Sequence, residues 1–417
     1  MTVIERPTNK LFRGWVIVAS FFVIGIVIFG TRFSFGIFFK SIAGEFDLSR
    51  ATTSAIFSTQ MVCGCVTTVL AGWASDKYGP KVIVLLMGLF SGLSLVLTSQ
   101  TTEAWQLFFT YSLLLSMGNN AMWVVTMSTV ARWFDKKRGM ALGIASSSSG
   151  LGPLITAPLA TYLITAFSWR MAYMVMGVIA LVVVIPLSLL VKKDPYESGV
   201  LPDGAQSTSQ DREARANNVQ RESLTLKASS KTGSFWRLLF FFFFYSTNFF
   251  LITTHLVPHI TDRGYTAVAA ATAISFFGIG VTAGRLLIGV AIDRIGRKET
   301  FISCMLLQLG AMIMLMSLHQ LWGFYLFAAV FGFGHGGVGP SSAAVISDTF
   351  GLGSMGAIFG VLDVGFGIGA GLGPAIGGLI FDCWASYFNA FLLGIGALLL
   401  SVLLVAGVRK ETKRQTG

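Results

Sequence analysis

The feature that most constrains this chain is a series of apolar stretches, each long enough to cross the roughly 30 Å hydrocarbon core of a bilayer. Their length and their lack of strict alternation predict helices, not the strands of a barrel. The twelve predicted spans are 14–39, 50–74, 82–100, 104–131, 139–167, 170–191, 235–260, 266–292, 300–318, 321–347, 355–381 and 385–408. Because 54% of the 417 residues are hydrophobic and only 12% are charged, the composition excludes a water-soluble domain. We expect an all-α polytopic membrane protein with twelve transmembrane helices.

The formal net charge of +11 is explained by the distribution of basic residues over the predicted loops. Most of the 30 Lys and Arg residues lie on the side that holds both termini. Four lie in loops on the opposite side: Lys40, Arg50, Arg170 and Arg263. Under the positive-inside rule, this asymmetry predicts a multi-pass protein of the plasma (inner) membrane with both termini in the cytoplasm. It accounts for the positive charge without a nucleic-acid partner.

Two loops share one pattern of glycine, aspartate and basic residues. Gly72, Asp76 and Gly79 follow the second span, and Gly289, Asp293 and Gly296 follow the eighth at positions 217 residues later. This offset predicts a duplicated six-helix unit. We therefore predict two pseudo-symmetric six-helix bundles, residues 1–192 and 235–417, joined by a polar and flexible cytoplasmic linker, residues 193–234. The residues that we expect to act as a gating latch are Gly72, Asp76, Gly79, Asp293, Arg294, Gly296 and Arg297.

These loops resemble the G-x-x-x-D-[RK]-x-G-[RK]-[RK] loop of the major facilitator superfamily. The stretch Trp133-Phe134-Asp135-Lys136-Lys137-Arg138-Gly139-Met140-Ala141-Leu142-Gly143 is similar to the W/Y-F-x-K-R-R-x-L-A-x-G signature of the monocarboxylate porter family, with a departure at Gly139-Met140. The chain also resembles the related oxalate/formate antiporter group. The resemblance implies a secondary active transporter that works by alternating access.

Arg285 stands in the middle of the apolar eighth span, where an arginine costs roughly 2.5–3.5 kcal/mol even on the mildest scale. One interpretation is an ion pair that braces two helices. The other, which we favour, is binding of an anion, because guanidinium presents a planar fork that matches a carboxylate. By the family resemblance, Arg285 matches the arginine that binds the substrate carboxylate. Arg32, in the outer half of the first span, either snorkels to the interface or attracts anions.

Polar and aromatic residues at similar depth complete the predicted substrate site. With an offset of 216, Asn119 in the fourth span falls on His335 in the tenth. Transporters built from repeats place their substrate near the midplane, where such elements meet. We predict hydrogen bonds to the substrate from Asn119, Asn120 and His335. The expected apolar wall consists of Phe33, Trp123 and Phe359.

Proton coupling needs a residue that can hold the proton. Animal members of the resembled family carry an acid four residues before the arginine of the eighth helix, where this chain has Val281. Asp363 in the eleventh span lies at the same depth as Arg285, about 12 Å from the cytoplasmic end, so we expect the two to form an ion pair. Substrate binding would then withdraw the arginine, and Asp363 would take up a proton. The alternatives are that Asp363 is a fixed counter-ion or bonds to the backbone.

His255 and Asp262 in the seventh span are further coupling candidates, although a hydrogen-bonded role for His255 is the simpler interpretation. The intramembrane charges favour a monocarboxylate such as lactate or pyruvate over oxalate, because the eleventh span carries an acid where the oxalate exchanger carries a lysine. The partners that we expect are therefore a small carboxylate, a proton and the lipid bilayer, and we expect a monomer.

Other classes of protein fit less well. An enzyme would need a nucleophile with a base, and a metal site would need ligands at a suitable spacing; neither pattern occurs, so we predict no enzyme activity, no cofactor and no metal. A channel would need a selectivity filter or a charged ring. Two alternatives stay open: a proton-independent organic anion exchanger of the oxalate/formate type, and a sensor or receptor with a transporter fold.

Overall fold

A computed structural model describes residues 12–48, 50–198, 200–204 and 223–411. The long elements in these ranges are all helices, and the helices form twelve spans arranged as two successive sets of six. The expected helical membrane fold is confirmed. The boundary between bundle and linker at residues 192 and 193 stays a prediction.

The first set contains six spans, two of which are interrupted. In α1, Ser34 separates two segments, and α4 consists of four consecutive segments. The bounds are Arg13–Phe33 and Phe35–Glu45 for α1, Arg50–Tyr78 for α2, Pro80–Ser99 for α3, Ala104–Leu107, Phe108–Leu114, Leu115–Asn119 and Met122–Trp133 for α4, Arg138–Ala166 for α5, and Trp169–Ser188 for α6.

The second set contains six continuous helices. Their bounds are Gly233–Asp262 for α7, Ala267–Ile295 for α8, Arg297–Ser317 for α9, Leu321–Phe350 for α10, Met355–Trp384 for α11 and Phe388–Ala406 for α12. The connections between them are short, as expected for neighbouring antiparallel helices.

By length and composition, ten helices of the described residues can each cross a membrane. The two remaining spans are α4 and α5. In α4, residues Phe108–Leu114 form a π-helical segment and a turn follows at Asn120. In α5, the run from Ser146 to Ser149 lowers hydropathy, and its hydroxyls donate to carbonyls one turn back in the same helix. Within the first set, α4 is therefore the most interrupted span, and α5 is a continuous helix that carries a run of four serine hydroxyls.

The 217-residue offset recurs in how helices pack inside each half. In the first half, α5 approaches α1 so closely that a Cβ on Gly152 would lie 2.7 Å from the Ile26 carbonyl oxygen. In the second half, α11 approaches α7 in the same way, and a Cβ on Gly369 would lie 2.2 Å from the Phe243 carbonyl oxygen. Small residues at such crossings permit close helix contact in a membrane. The glycines of α5 and α11 thus serve packing in the described structure.

The predicted flexible linker is described only at its two ends, and these ends are packed. The Asp203 carboxylate accepts backbone N–H groups of Asp135 and Lys136, at 3.0 and 2.7 Å. At the other end, the Ser223 hydroxyl accepts the N–H of Gly353 at 3.0 Å. The linker ends therefore bind the α4–α5 loop and the α10–α11 loop, which occupy equivalent positions in the two halves.

Candidate functional site

Asp76, at the end of α2, joins the first half to the second. Its carboxylate accepts the backbone N–H groups of Gly356 and Ala357 in the first turn of α11, at 3.2 and 2.8 Å. It also forms an ion pair with Arg132 of α4, whose guanidinium donates to the Leu352 carbonyl. The first N–H groups of a helix have no partner inside the helix and carry partial positive charge, so a carboxylate stabilises them.

Asp293, at the end of α8, makes the equivalent contact in the opposite direction. Its two carboxylate oxygens accept the N–H groups of Gly139 and Met140 in the first turn of α5, at 2.7 and 2.9 Å. Gly139 and Met140 lie 217 positions before Gly356 and Ala357. The position equivalent to Arg132 is Thr349, so the two contacts share the carboxylate but not its arginine. We call these two carboxylate contacts the latch, and the end of the bundle that carries them the latch side.

The two basic residues of the predicted latch, Arg294 and Arg297, have different surroundings. Arg297 forms ion pairs with Asp348 and with Asp135 of the α4–α5 loop, and it donates to the Asp135 carbonyl at 3.1 Å. Arg138, which belongs to the first half, forms an ion pair with Asp348 at 3.3 Å. Arg294 is exposed. The interface on the latch side is therefore crossed by a charge network centred on Asp348, which the loop motif did not reveal.

Glycines let the halves approach at the latch. Gly79 and Gly296 adopt φ of 89° and 123°, a backbone conformation that favours glycine. A Cβ on Gly72 would lie 2.2 Å from the Gly356 carbonyl oxygen across the interface. The latch contacts and the ion pair that Asp348 forms with the first half join the two halves on this side. The described conformation is closed at the latch side, and the gating role of the latch stays a prediction.

We expect Asp293→Asn to weaken the latch. Asparagine lacks the charge that complements the α5 N-terminus, and only one of its side-chain atoms accepts a hydrogen bond. A loss of about 1–2 kcal/mol would increase the population open at the latch side roughly 5- to 30-fold. Electron–electron double resonance between spin labels at Lys81 and Lys410 measures this population. Asp194→Asn, on the same side, is the matched control, and equal distance distributions in both variants would contradict a gating role.

Arg285 lies at the interface between the halves. The residue is only 7% exposed, and its Nε and Nη1 atoms have no hydrogen-bond partner. Its guanidinium carbon lies 6.0 Å from the centre of the Trp123 ring in α4. A Cβ on Gly150 of α5 would lie 3.5 Å from Nη1, so the side chain faces the first half and not lipid. A buried guanidinium with unused donors is suited to binding an anion.

Trp123 is the second residue of the last segment of α4, which follows the turn at Asn120 and Ala121. Its ring packs on α10, where a Cβ on Gly339 would lie 2.6 Å from Cζ2, and it contacts Phe29 of α1 with ring centres 6.4 Å apart. Because α4 is broken at this turn, the Trp123 side chain of the first half lies between Arg285 and α10. This is the predicted wall residue that the structure brings to Arg285.

His335 belongs to the part of α10 that crosses α8 at Arg285, since a Cβ on the adjacent Gly336 would lie 2.8 Å from the Arg285 backbone nitrogen. The imidazole stacks on Phe249 of α7 with ring centres 3.9 Å apart, and its Nδ1 atom lies 2.6 Å from the Tyr245 hydroxyl. The Tyr245 hydroxyl in turn donates to the side-chain oxygen of Gln308 of α9. Tyr245 and Gln308 are not among the predicted site residues, although each is a polar residue within an apolar span.

The expected ion pair between Asp363 and Arg285 does not form. The salt bridges of the described residues do not join these two side chains. Asp363 belongs to the part of α11 that packs on α2, where a Cβ on Gly367 would lie 2.8 Å from the Cys65 sulfur. The charge of Arg32 of α1 acts on Asp363, although the salt bridges of the described residues do not join these two side chains either. The reason is the pairing of helices across the interface, because α11 crosses α2 whereas α8 crosses α5. Arg32 itself donates from Nη2 to the Met61 sulfur at 3.7 Å.

Asn119 and Asn120 face other helices and not Arg285. The Asn119 amide accepts from Ser91 at 2.8 Å and donates to Thr31 at 3.0 Å, which ties α4 to α3 and α1. Asn120 donates to the Gln60 carbonyl of α2 at 3.2 Å. Both residues are buried, and helix packing gives the Asn119 amide a partner for its oxygen and for its nitrogen. The Asn120 side-chain oxygen is buried without a hydrogen-bond partner, and the substrate-binding role of both residues stays a prediction.

Phe359 does not extend the described site. Phe359 is 0% exposed and packs on Phe242 of α7 with ring centres 5.9 Å apart, so it belongs to the core of the second half. This position corrects the expectation that Phe359 lines the substrate wall. The side chain of Phe33 lies outside the described residues.

His255 and Asp262 lie far along α7 from Tyr245. The ring nitrogens of His255 contact the Pro374 carbonyl at 2.9 Å and the Tyr387 hydroxyl at 3.3 Å, so both have partners. Asp262 is exposed at the end of α7. These contacts favour the hydrogen-bonded interpretation of His255, and both coupling roles stay predictions. Within the described ranges, no group of three or more His, Cys, Asp or Glu residues could hold a metal ion.

The chain is similar to known proteins in sequence and in structure. The family model described as Major Facilitator Superfamily matches residues 21–290 and 261–417. Monocarboxylate transporter 13 of Bos taurus is 26% identical over 396 residues, which cover 93% of this chain and 87% of that protein. Monocarboxylate transporter 11 of Homo sapiens is 24% identical over 401 residues, with 93% and 81% covered. The uncharacterized MFS-type transporter YhjX of Escherichia coli (strain K12) is 22% identical over 366 residues, with 87% of each chain covered.

Solved structures of transporters share the fold. The human organic anion transporter MFSD10 aligns with a TM-score of 0.71 at 14% identity, covering 96% of this chain and 100% of that chain. A variant of the E. coli fucose:proton symporter FucP aligns with a TM-score of 0.71 at 14% identity, covering 95% and 98%. At this identity the likeness shows the fold alone.

Proposed function

This chain belongs to the major facilitator superfamily, a family of transporters and not of enzymes, and on that basis we propose that it moves a small monocarboxylate across the membrane by alternating access. The name monocarboxylate transporter, carried by similar proteins, supports the substrate class. Lactate and pyruvate are the substrates that we propose to test first.

The observation that carries the proposal is the guanidinium of Arg285. It is buried between the halves with unused donors, and the part of the chain that the structure describes gives it no acidic partner. An uncompensated arginine at this depth costs roughly 2.5–3.5 kcal/mol. A carboxylate that occupies both arms of the guanidinium would offset this cost. The cation would then be compensated when substrate is bound.

The balance of charges supports one carboxylate per substrate. Away from the latch side and from the opposite ends of the helices, the described spans carry two arginines, Arg32 and Arg285, and one aspartate, Asp363. The charge of Asp363 acts on Arg32, so the charge of Arg285 remains for the substrate. A dianion such as oxalate would favour two uncompensated cations. This arrangement therefore favours a monocarboxylate over the oxalate alternative.

We also propose the orientation of the chain. The basic loops lie on the latch side, so the positive-inside rule places this side, with both termini, in the cytoplasm of a cell with a single plasma (inner) membrane. The conformation closed at the latch side is then the outward-facing state. Substrate would enter from outside and meet Arg285 at the bottom of the open path.

Proton symport is the coupling that we propose, with Asp363 as the proton carrier. Asp363 and Arg32 belong to opposite halves, so alternating access changes the distance between them. A carboxylate that loses its counter-charge in an apolar interior binds a proton. Substrate on Arg285 and a proton on Asp363 would then travel together without net charge. This scheme replaces Arg285 by Arg32 as the partner of Asp363.

Counterflow in proteoliposomes tests the proposed function. Vesicles that contain the purified chain are loaded with unlabelled lactate and diluted into labelled lactate. A transporter is expected to produce a transient accumulation of label, because internal lactate occupies the carrier and slows the exit of label. Protein-free vesicles are the control. Specific lactate binding without counterflow would favour the sensor alternative, and the absence of both would contradict the monocarboxylate substrate.

A further inference from the structure

A chain of three polar side chains leads from α9 to the neighbourhood of Arg285. The Gln308 side-chain nitrogen donates to the Cys304 carbonyl at 3.4 Å, and the Gln308 oxygen accepts from the Tyr245 hydroxyl at 3.3 Å. The Tyr245 oxygen lies 2.6 Å from Nδ1 of His335. Gln308 and Tyr245 are buried, at 0% and 1% exposure, so water does not compete for these groups.

The direction of each hydrogen bond in this chain is fixed by its buried end. A backbone carbonyl only accepts, so it holds the amide nitrogen of Gln308 and turns the amide oxygen toward Tyr245. The single hydroxyl hydrogen of Tyr245 then points to Gln308. The Tyr245 oxygen is left as an acceptor, and Nδ1 of His335 must carry the hydrogen that it receives.

This direction sets the chemistry of the other ring nitrogen. A neutral imidazole has one donor and one acceptor nitrogen. Burial in the apolar interior, and repulsion from the charge of Arg285, both oppose a positive charge on the ring. With the hydrogen on Nδ1, Nε2 carries a lone pair and accepts. His335 is only partly buried, and a Cβ on the adjacent Gly336 would lie 2.8 Å from the Arg285 backbone nitrogen, so the ring stands where α10 crosses α8 at Arg285.

We propose that Nε2 of His335 selects monocarboxylates that carry a hydrogen-bond donor beside the carboxylate, and therefore prefers 2-hydroxy acids to 2-oxo acids. The inference rests on the proposed binding of the substrate carboxylate by Arg285. A 2-hydroxyl group donates to Nε2, whereas a 2-oxo group presents a second lone pair to it. Gln308 and Tyr245 are positioning residues, because they set which nitrogen of His335 bears the hydrogen without touching the substrate.

Dissociation constants of L-lactate and pyruvate for the purified full-length chain test the preference. We expect the unmodified protein to bind lactate roughly tenfold more tightly than pyruvate, the discrimination that one unmet hydrogen bond provides. Isothermal titration in detergent gives both constants. Binding of neither acid would overturn the proposed function and this inference with it. Equal binding of the two acids would overturn this inference alone.

Gln308→Met gives the sharpest variant. Methionine has a similar volume but no acceptor at this position, so the Tyr245 hydroxyl would donate to Nδ1 of His335 instead. Nε2 would then carry the hydrogen and donate to a 2-oxo group. We expect the ratio of the two dissociation constants to invert in favour of pyruvate. A purely structural role of Gln308 would weaken the binding of both acids by the same factor. An unchanged ratio of the two dissociation constants would therefore overturn the inference.

Tyr245→Phe is the second variant and Asn248→Ala the matched control. Phenylalanine keeps the ring that stacks near His335 but removes the hydroxyl, so neither nitrogen is favoured and the ratio should fall to about one. Asn248 lies on the same helix with its amide buried and outside the hydrogen-bond chain. Its variant should keep the lactate preference. Retention of the full preference in Tyr245→Phe would contradict the chain of hydrogen bonds.

Discussion

Arg285→Lys is expected to reduce monocarboxylate uptake about 100-fold or more, although the charge is kept. Arginine offers a carboxylate two parallel hydrogen bonds from a planar fork, whereas the lysine ammonium is a compact charge that cannot reproduce them. Losing one charge-assisted bond and its alignment costs about 3 kcal/mol, or roughly a factor of 100. Initial rates of labelled lactate uptake into proteoliposomes measure the effect.

Arg409→Lys is the matched control, because Arg409 is exposed beyond α12. Its uptake should stay within about twofold of the unmodified protein, as is usual for an exposed substitution of this kind. Undiminished uptake by Arg285→Lys, with the control also active, would contradict the carboxylate-binding role of Arg285.

Arg285→Met separates substrate binding from helix bracing. If Arg285 binds substrate, its guanidinium is uncompensated in the empty protein, and an apolar replacement removes the cost of burying it. The variant should then lose uptake but melt at a higher temperature. A bracing arginine predicts the opposite, because removal of one ionic partner leaves the other charge buried. Lower thermal stability in Arg285→Met would support bracing.

Asp363→Asn is expected to abolish lactate accumulation that is driven by a proton gradient. With one proton carried per lactate, a pH difference of one unit supports about tenfold accumulation, because one unit corresponds to 1.36 kcal/mol. Asparagine cannot bind a proton, so the variant should equilibrate lactate without concentrating it. Uptake of labelled lactate is measured with and without an inward proton gradient.

Asp47→Asn is the control for this experiment. Asp47 is exposed and has φ of 49°, a conformation that asparagine tolerates. This variant should accumulate lactate as the unmodified protein does. Accumulation that persists in Asp363→Asn would remove Asp363 as the proton carrier. If the unmodified protein exchanges lactate but ignores the gradient, proton-independent exchange is the correct mechanism.

The sequence by itself determined the features that depend on local pattern. Apolar run length identified the helical membrane fold, because an unpaired backbone is not tolerated in hydrocarbon. The 217-residue offset between Asp76 and Asp293 located the duplication, and the same offset relates the helix N-termini that these carboxylates contact. The charge of Arg285 marked it as a candidate site because a cation within an apolar span stands out against its neighbours.

Only the tertiary structure decided which side chains meet. Counting residues gave Asp363 and Arg285 equal depth, but depth along a helix does not specify the face or the partner helix. The crossings of α2 with α11 and of α5 with α8 place Asp363 near Arg32 instead. For the same reason Asn119 binds Ser91 and Thr31, whereas His335 joins Tyr245. Such contacts depend on the rotation and crossing of whole helices, which are set by packing over many residues and not by any single motif.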